Sequence, residues 1–220
     1  MEWKSDAELF DLMRTRLYTA IVGDVMDVHG RRRQFLPARC RPLQPEMRVA
    51  GRAMTVLEAD VFHEPDPPFG QMLEALDSLQ PNEIYIAAGC SAHYALWGEL
   101  MSTTARARGA TGAVLAGYTR DTRGILDMNF PVFCYGSYAQ DQRGRGQVIA
   151  RRVPLEVDGV LVRPGDILFG DIDGVLVVPR EIETDVITEA LERARKETKA
   201  KQELTEGRLA TDVFRKYGIL

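Results

Sequence analysis

Short apolar runs separated by turn dipeptides make up the sequence from residue 147 to residue 178. The dipeptides are Asp158-Gly159, Pro164-Gly165 and Asp173-Gly174, and such pairs favour tight reversals between neighbouring strands. The spacing predicts short strands at 148–150, 153–157, 160–162, 166–169 and 175–178. This part of the chain is therefore expected to fold as hairpins.

The preceding segment alternates helix and strand patterns instead. Buried strands are predicted at 47–59, 83–88, 112–115 and 130–135, with helices between them at 70–79, 102–108 and 125–128. The helix at 70–79 is expected to turn inward Met72, Leu73, Ala75 and Leu76. Polar, glycine-rich residues at 139–146 predict an exposed loop. Strands that alternate with helices are typical of a βαβ arrangement.

Helical patterns flank this core. Two N-terminal helices are predicted at 6–16 and 19–28, and one long C-terminal helix at 181–207. The second half of that last helix is highly charged, which fits either a solvated helix or one that packs on another subunit. The tail at 212–220 is expected to dock. We therefore predict a single mixed α/β layered domain over residues 1–220, with its α/β core at 47–178.

Composition excludes several classes of function. The chain has 220 residues and a formal net charge of −4, and its basic stretches at 31–33 and 143–152 are short, so no nucleic-acid partner is expected. No apolar run has the length of a membrane span. Cysteines at 40, 90 and 134 are widely spaced, and the charged N-terminus lacks a signal-peptide pattern, which favours the cytoplasm. No zinc-binding spacing is present.

The stretch from Gly98 to Asp121 concentrates groups that can bind an anion and a cation. Residues 98–101 precede the predicted helix at 102–108, so their backbone N–H groups are free to point one way. Arg120 and Asp121 follow the buried strand at 112–115, where α/β folds place their ligands. For the Arg-Asp dipeptide alone, a surface ion pair or a turn-capping aspartate is the more common interpretation.

These motifs resemble the RraA-like family. The resemblance rests on Gly98-Glu99-Leu100-Met101, Gly112, Gly117 and Arg120-Asp121, and it continues through 160–174 to Gly207 and Tyr217-Gly218. The family includes metal-dependent 4-hydroxy-4-methyl-2-oxoglutarate aldolases with oxaloacetate decarboxylase activity, and regulators of ribonuclease E. The resemblance implies a fold like the swivelling phosphohistidine domain, a small 2-oxo-acid substrate, and a homotrimer or homohexamer.

The resemblance also implies a role for each site residue. The backbone amides of Gly98, Glu99, Leu100 and Met101 would bind the substrate carboxylate. Arg120 would bind the keto oxygen and stabilise the enolate. Asp121 would hold Mg²⁺ or Mn²⁺, and Glu99 would reach the metal through water, together with Glu197 from the C-terminal helix of another subunit. Glu99 and Arg120 would then be the catalytic residues.

The residue types suit such chemistry. Retro-aldol cleavage and oxaloacetate decarboxylation both leave a pyruvate enolate, whose developing charge a divalent cation and a guanidinium stabilise. Carboxylate oxygens suit Mg²⁺ or Mn²⁺ better than zinc. The chain has no lysine between Lys4 and Lys196, which argues against a Schiff-base lysine in the core.

Two departures from the family pattern keep other functions open. Glu99 stands where the family aldolases carry aspartate, and Gly124 lies where an acidic residue is usual. One alternative is a metal enzyme of the same fold that acts on another small carboxylate. The other is a non-catalytic regulator that binds a ribonuclease or a helicase, and Asp121 argues against it because the inhibiting members lack that aspartate.

Overall fold

The computed structural model describes residues 3–219. Its helices are α1 Asp6–Arg16, α2 Thr19–Val28, α3 Met72–Asp77, α4 Glu99–Ala107, α5 Thr122–Asp127, α6 Glu183–Thr205 and α7 Ala210–Tyr217. Its strands are β1 Arg41–Pro42, β2 Val49–Asp60, β3 Glu83–Ala88, β4 Ala95–Trp97, β5 Gly112–Leu115, β6 Tyr118–Thr119, β7 Val132–Cys134, β8 Gly146–Arg151, β9 Leu155–Val157, β10 Val160–Val162, β11 Ile167–Asp171 and β12 Gly174–Val178.

Most of the strands form one mixed sheet with the order β1-β7-β5-β3-β2-β11-β12. Strands β2, β3, β5 and β7 pair in parallel with one another, because helices α3, α4 and α5 return the chain between them. Strands β11 and β12 form an antiparallel hairpin that pairs with β2. The predicted fold class, a single mixed α/β domain with a long C-terminal helix, is confirmed.

Strand β2 organises the sheet because it pairs along both of its edges. It is 12 residues long, and one edge pairs with β3. The other edge pairs first with β11 and then with β8. The register with β8 shifts between Leu57 and Glu58, and irregularities of this kind re-aim side chains. Glu58 is buried beside the shift, which puts a carboxyl group inside the domain.

Helices cover the sheet in two groups. Helices α3, α4 and α5 enclose a core that includes Tyr85, Trp97 and Phe130. Helices α1, α2 and α6 enclose a second core, with Phe10 and Phe169, against β11 and β12. The hairpin of β9 and β10 covers a third cluster that contains the inner residues of β2 and β3. These separate cores hold the loops after β4 and β6 on a fixed scaffold.

The C-terminal part differs from the predicted single helix. A 3-10 turn at Arg180–Ile182 precedes α6, which ends at Thr205, and the tail forms its own helix, α7. Helix α7 folds back on the charged half of α6, where Ala200, Val213 and Ile219 form a small cluster. The tail therefore docks as expected up to Ile219, whereas Leu220 lies outside the described residues.

Three further expectations need correction. Leu73 was expected to face inward, but 58% of it is exposed, because α3 has only six residues and Leu73 lies on its outer side. Residues 139–146 were expected to form an exposed loop, but Gln142 is buried and Gly146 begins β8. Helix α4 begins at Glu99 rather than Ser102, so residues 99–101 form its first turn.

None of the helices within residues 3–219 is both long and apolar enough to cross a membrane.

Candidate active site

A short parallel ribbon of β4 and β6 brings the two parts of the predicted site together. Ala95 pairs with Tyr118 and Trp97 pairs with Thr119. The backbone N–H of Arg120 donates to the carbonyl of Trp97 at 2.9 Å, so Gly98 and Arg120 leave the ribbon side by side. Trp97 is buried and stacks on Phe130 with their ring centroids 6.3 Å apart, which anchors the ribbon in the core.

Gly98 is the residue before α4, and the first-turn amides of this helix face the site. The N–H of Ser102 bonds the Gly98 carbonyl at 3.0 Å, which closes the first turn. The N–H groups of Glu99, Leu100 and Met101 have no carbonyl to bond within the helix and are directed toward its N-terminal end. The structure thus places the four predicted amide-bearing residues at one helix terminus, where anions bind favourably.

Asp121 projects its carboxylate to this same helix terminus. The Asp121 backbone is left-handed, with φ of 55°, and the residue immediately precedes α5. Its Oδ2 accepts a long hydrogen bond of 3.4 Å from the N–H of Glu99 and lies 3.6 Å from Nε of Arg120. A Cβ atom at Gly98 would lie 2.6 Å from that oxygen, so only glycine leaves room for the carboxylate. Asp121 thus contacts the end of α4 as well as Arg120.

Arg120 lies between two carboxylates. Its Nη1 is 3.4 Å from Oδ1 of Asp141, whereas its Nε is the atom near Asp121. The side chain of Arg120 is 39% exposed, so it can reach a ligand from this position. Asp141 was missed in the sequence, because the segment that contains it has the composition of an ordinary loop. Its spacing from Arg120 gives no signal of the contact.

Glu99 extends from the first turn of α4 over Gly124 of α5. A Cβ atom at position 124 would lie 2.2 Å from the carboxyl carbon of Glu99 and 2.3 Å from its Oε2. The absence of a side chain at Gly124 is therefore what allows the Glu99 carboxylate to lie there. Glu99 and Asp121 thus supply two carboxylates around the N-terminus of α4.

An apolar cavity of about 290 Å³ opens beside Arg120. Arg120 and Asp141 lie at its polar end, together with Gly98. The rest of the wall is mainly apolar and is formed by Phe69, Met72, Leu73, Leu76, Ala95, Leu96, Trp97, Leu100 and Met101, with Thr104 and Gln142. The cavity therefore joins a charged end to a hydrophobic chamber.

A buried carboxyl group stands behind the cavity wall. Gln142, which lines the cavity, donates from Nε2 to Oε2 of Glu58. Oε1 of Glu58 has no hydrogen-bond partner among the described residues, and neither has the buried hydroxyl of Tyr85. Burial raises the pKa of Glu58 to about 8, although the hydrogen bond from Gln142 opposes the shift. Burial thus favours the protonated form of Glu58 at neutral pH.

Glu197 does not join this group within one chain. It lies on α6, where its carboxylate accepts from the hydroxyl of Tyr18 and lies 3.7 Å from Nε of Arg193. Burial raises its pKa. The predicted contribution of Glu197 to the site of another subunit stays a prediction, since it concerns an assembly of chains. Within residues 3–219, no cluster of three or more acidic, histidine or cysteine side chains has the geometry of a metal site.

Asp171 and Asp173, in the hairpin of β11 and β12, belong to the scaffold. Asp171 is buried and accepts from the N–H and the hydroxyl of Thr19, both at 2.7 Å, at the start of α2. It also accepts from the N–H of Asp173 at 3.0 Å, within the hairpin turn.

The ring of Tyr118 packs edge-on against Tyr135 and Tyr138, with ring centroids 6.5 and 5.7 Å away.

Comparison with known proteins assigns this arrangement to a family. The family pattern described as RraA-like, Aldolase/RraA, matches residues 19–177, which is more than half of the chain. The chain belongs to the RraA-like family. The predicted resemblance is therefore confirmed, and the match includes every residue of the site on β4, α4 and β6, as well as Asp121, Gly124 and Asp141.

Individual relatives of this RraA-like chain differ in what they are named for. A protein of Halalkalibacterium halodurans, named "Putative 4-hydroxy-4-methyl-2-oxoglutarate aldolase", is 33% identical over 70% of this chain and 71% of its own. A solved structure described as novel cellulases from microbes of the gut ecosystem is 36% identical, with a TM-score of 0.81 over 89% of this chain and 88% of that one.

A third comparison shows the fold alone. The Streptomyces coelicolor protein RraAS2, described as an unusual member of the RNase ES inhibitor RraA family, is 23% identical, with a TM-score of 0.78 over 90% of this chain and 98% of its own. The matched segment spans 28% of one curated relative and 71% of another, so the names of whole relatives do not transfer directly.

Proposed function

We propose that this RraA-like protein is a divalent-metal-dependent lyase that cleaves a C–C bond next to a keto group and releases pyruvate. The observation that carries the proposal is the position of Arg120, whose guanidinium lies beside the Asp121 carboxylate at the free amides of α4. A 2-oxo acid presents a carboxylate and a keto oxygen to these groups. The names of relatives such as the Halalkalibacterium protein support an aldol cleavage.

The donor set fits Mg²⁺ or Mn²⁺. Asp121 and Glu99 are hard oxygen donors, and the space that Gly98 and Gly124 leave is filled by these two carboxylates. Two protein carboxylates with remaining positions open to water and substrate suit Mg²⁺ and Mn²⁺ better than zinc. When bound there, the cation supplies Lewis-acid polarisation of the substrate's keto oxygen. Asp121 would be its direct ligand, and Glu99 would act through water.

The chain's own residues would perform the other steps. The amides of Leu100 and Met101 bind the substrate carboxylate at the positive end of α4. Arg120 donates to the keto oxygen, where negative charge grows as the enolate forms, and loss of one such donor typically raises a barrier by about 3 kcal/mol. In aldol cleavage, the Glu99 carboxylate accepts the proton of the C4 hydroxyl, directly or through one water. Oxaloacetate decarboxylation needs no such base at the substrate.

A pair of isosteric variants tests the proposal, because Asp121 and Asp141 both contact Arg120 but only Asp121 is assigned to the metal. Pyruvate release from oxaloacetate and from 4-hydroxy-4-methyl-2-oxoglutarate would be measured with Mg²⁺, with Mn²⁺ and with a chelator. Asp121→Asn should abolish metal-dependent pyruvate release and weaken Mn²⁺ binding in a titration. Asp141→Asn should keep Mn²⁺ affinity and most of the activity.

Other outcomes would identify the alternatives. Chelator-resistant activity in the wild type would overturn the metal dependence. The absence of pyruvate from every 2-oxo acid, together with tight binding to a ribonuclease or helicase, would favour a regulator.

We further propose a trimer or hexamer in which Glu197 of one chain serves the site of another. A monomer in light scattering that retains turnover would contradict that arrangement.

A further inference from the structure

We infer that the preferred substrate is a 4-hydroxy-2-oxo acid whose C4 substituent is apolar, rather than a small dicarboxylate. This inference rests on the proposed function and specifies its substrate class. It starts from the cavity beside Arg120, which is lined by that arginine and by Leu100 and Met101, whose amides would bind the substrate carboxylate. A substrate held there directs its remaining substituent into the apolar chamber.

The walls of the chamber are suited to bind an apolar group. Leu76, Leu96 and Trp97 line it and are themselves almost fully buried, so they form fixed walls. Its volume of about 290 Å³ is just below the roughly 300–1,000 Å³ that is usual for small-molecule sites. An aliphatic chain or a phenyl ring would exclude water from these walls and gain their contacts.

The charges of the cavity argue against a second carboxylate. Arg120 is the only cation among the described residues that line it, and Asp121 and Asp141 already flank its guanidinium. A carboxylate at C4 would face the leucine walls without a positive partner. An ion that loses water without gaining a partner binds poorly. The cavity therefore disfavours a dicarboxylate substrate, because it lacks a second cation and because its lining is apolar.

The reaction balances without a further reactant. For R–CH(OH)–CH₂–CO–COO⁻, the bond between C3 and C4 breaks and the C4 hydroxyl gives up its proton. The electrons of the broken bond become the enolate, which takes a proton at C3 to form pyruvate. The products are pyruvate and the aldehyde R–CHO, where R is the group that the cavity holds.

A comparison of turnover between two substrates tests the inference. The wild type would be assayed for pyruvate release from 4-hydroxy-2-oxo-4-phenylbutanoate and from 4-hydroxy-4-methyl-2-oxoglutarate. We expect kcat/KM to be about tenfold or more higher for the phenyl compound, since even one methylene in an apolar pocket gives about this discrimination. Faster turnover of the dicarboxylate would overturn the inference and leave the proposed lyase function standing. No pyruvate from either compound, nor from oxaloacetate, would overturn both.

A variant at the cavity rim provides the second arm. Leu73 is more than half exposed and lines the cavity, so Leu73→Arg adds a cation there with little effect on folding. We expect it to shift the ratio of the two kcat/KM values at least about fivefold toward the dicarboxylate. Leu161→Arg, at an exposed leucine of β10 outside the cavity, is the matched control and should leave the ratio unchanged. An unchanged ratio in Leu73→Arg would contradict the inference.

Discussion

The carboxylate of Glu99 lies where a side chain at Gly124 would begin. The ideal Cβ position of residue 124 is 2.2 Å from the Glu99 carboxyl carbon, far inside van der Waals contact. The two departures from the family pattern that the sequence presented separately, a longer acid at 99 and a missing side chain at 124, are thus one spatial arrangement. The longer arm of Glu99 fills the space that glycine leaves.

The first prediction follows from this contact. Gly124→Ala should lower kcat/KM for the proposed substrates about tenfold, because the methyl group displaces the carboxylate of Glu99, the proposed base. The fold should tolerate the change: Glu99 is exposed and its side chain can move, and alanine favours helix α5 by about 1 kcal/mol over glycine. Turnover and the thermal midpoint would both be measured.

The shorter acid provides the control for that variant. In Glu99→Asp/Gly124→Ala, the carboxylate no longer reaches the new methyl group, so activity should recover relative to Gly124→Ala alone. The coupling in this double-mutant cycle separates a positional effect from a general loss at either residue. Purely additive losses would show that Gly124 does not position Glu99.

Arg120→Lys is the second prediction. Lysine keeps the positive charge but lacks the planar fork that can donate to the keto oxygen while it faces Asp121 and Asp141. We expect kcat to fall about 100-fold, in line with the loss of one well-placed donor, and KM to change less. The side chain is 39% exposed, so the unfolding midpoint in urea should stay near the wild-type value. Equal kcat values for Arg120→Lys and the wild type would show that Arg120 does not take part in the reaction.

Buried strands were the most predictable part of the fold. The expected bounds at 83–88, 112–115 and 160–162 agree with β3, β5 and β10, because each is a short apolar run between turn residues. Strands β4 and β6, of three and two residues, are too short for any periodicity to show. They were missed, although their pairing is what joins the halves of the site.

The site was predictable only where its residues are close in sequence. The sequence singled out Gly98 to Met101 and Arg120-Asp121 as two groups, but their proximity depends on the β4–β6 register, which the sequence does not specify. Asp141 gave no signal because it lies in a polar segment, and Glu58 gave none because its strand also contains Arg52 and Asp60. Burial of Glu58 results from the packing of β2 and of the loop that carries Gln142, a tertiary effect that local pattern cannot show.

The third prediction concerns the anchor of α2. Asp171 is buried and satisfies the first N–H group of that helix, so Asp171→Ala would leave Thr19 without a partner. We expect the free energy of unfolding to fall by about 1–3 kcal/mol. Asp171→Asn keeps an acceptor oxygen and should lose less, whereas Asp173→Ala, at an exposed neighbour, should be nearly neutral. Urea unfolding of the three variants measures the order of their stabilities. Equal losses of unfolding free energy would contradict the capping role of Asp171.

The last prediction is a pH dependence of stability caused by Glu58. Burial raises its pKa from 4.5 to about 8 in the folded protein. Between these values the folded state holds a proton that the unfolded state has released, so the free energy of unfolding falls as the pH rises. A single such group contributes a slope of up to about 1.4 kcal/mol per pH unit, and the loss is complete above about pH 8.

Glu58→Gln isolates this contribution, because glutamine cannot ionise and its carbonyl oxygen can still accept the hydrogen bond from Gln142. Urea unfolding of both proteins would be measured at several pH values from about 5 to about 8.5. Other titrating groups are shared by the two proteins, so they cancel in the difference between their stabilities. We expect that difference to shift steadily in favour of Glu58→Gln as the pH rises through this window. A difference that stays constant with pH would mean that Glu58 is not protonated in the folded protein, and that the buried side of the cavity wall carries a charge.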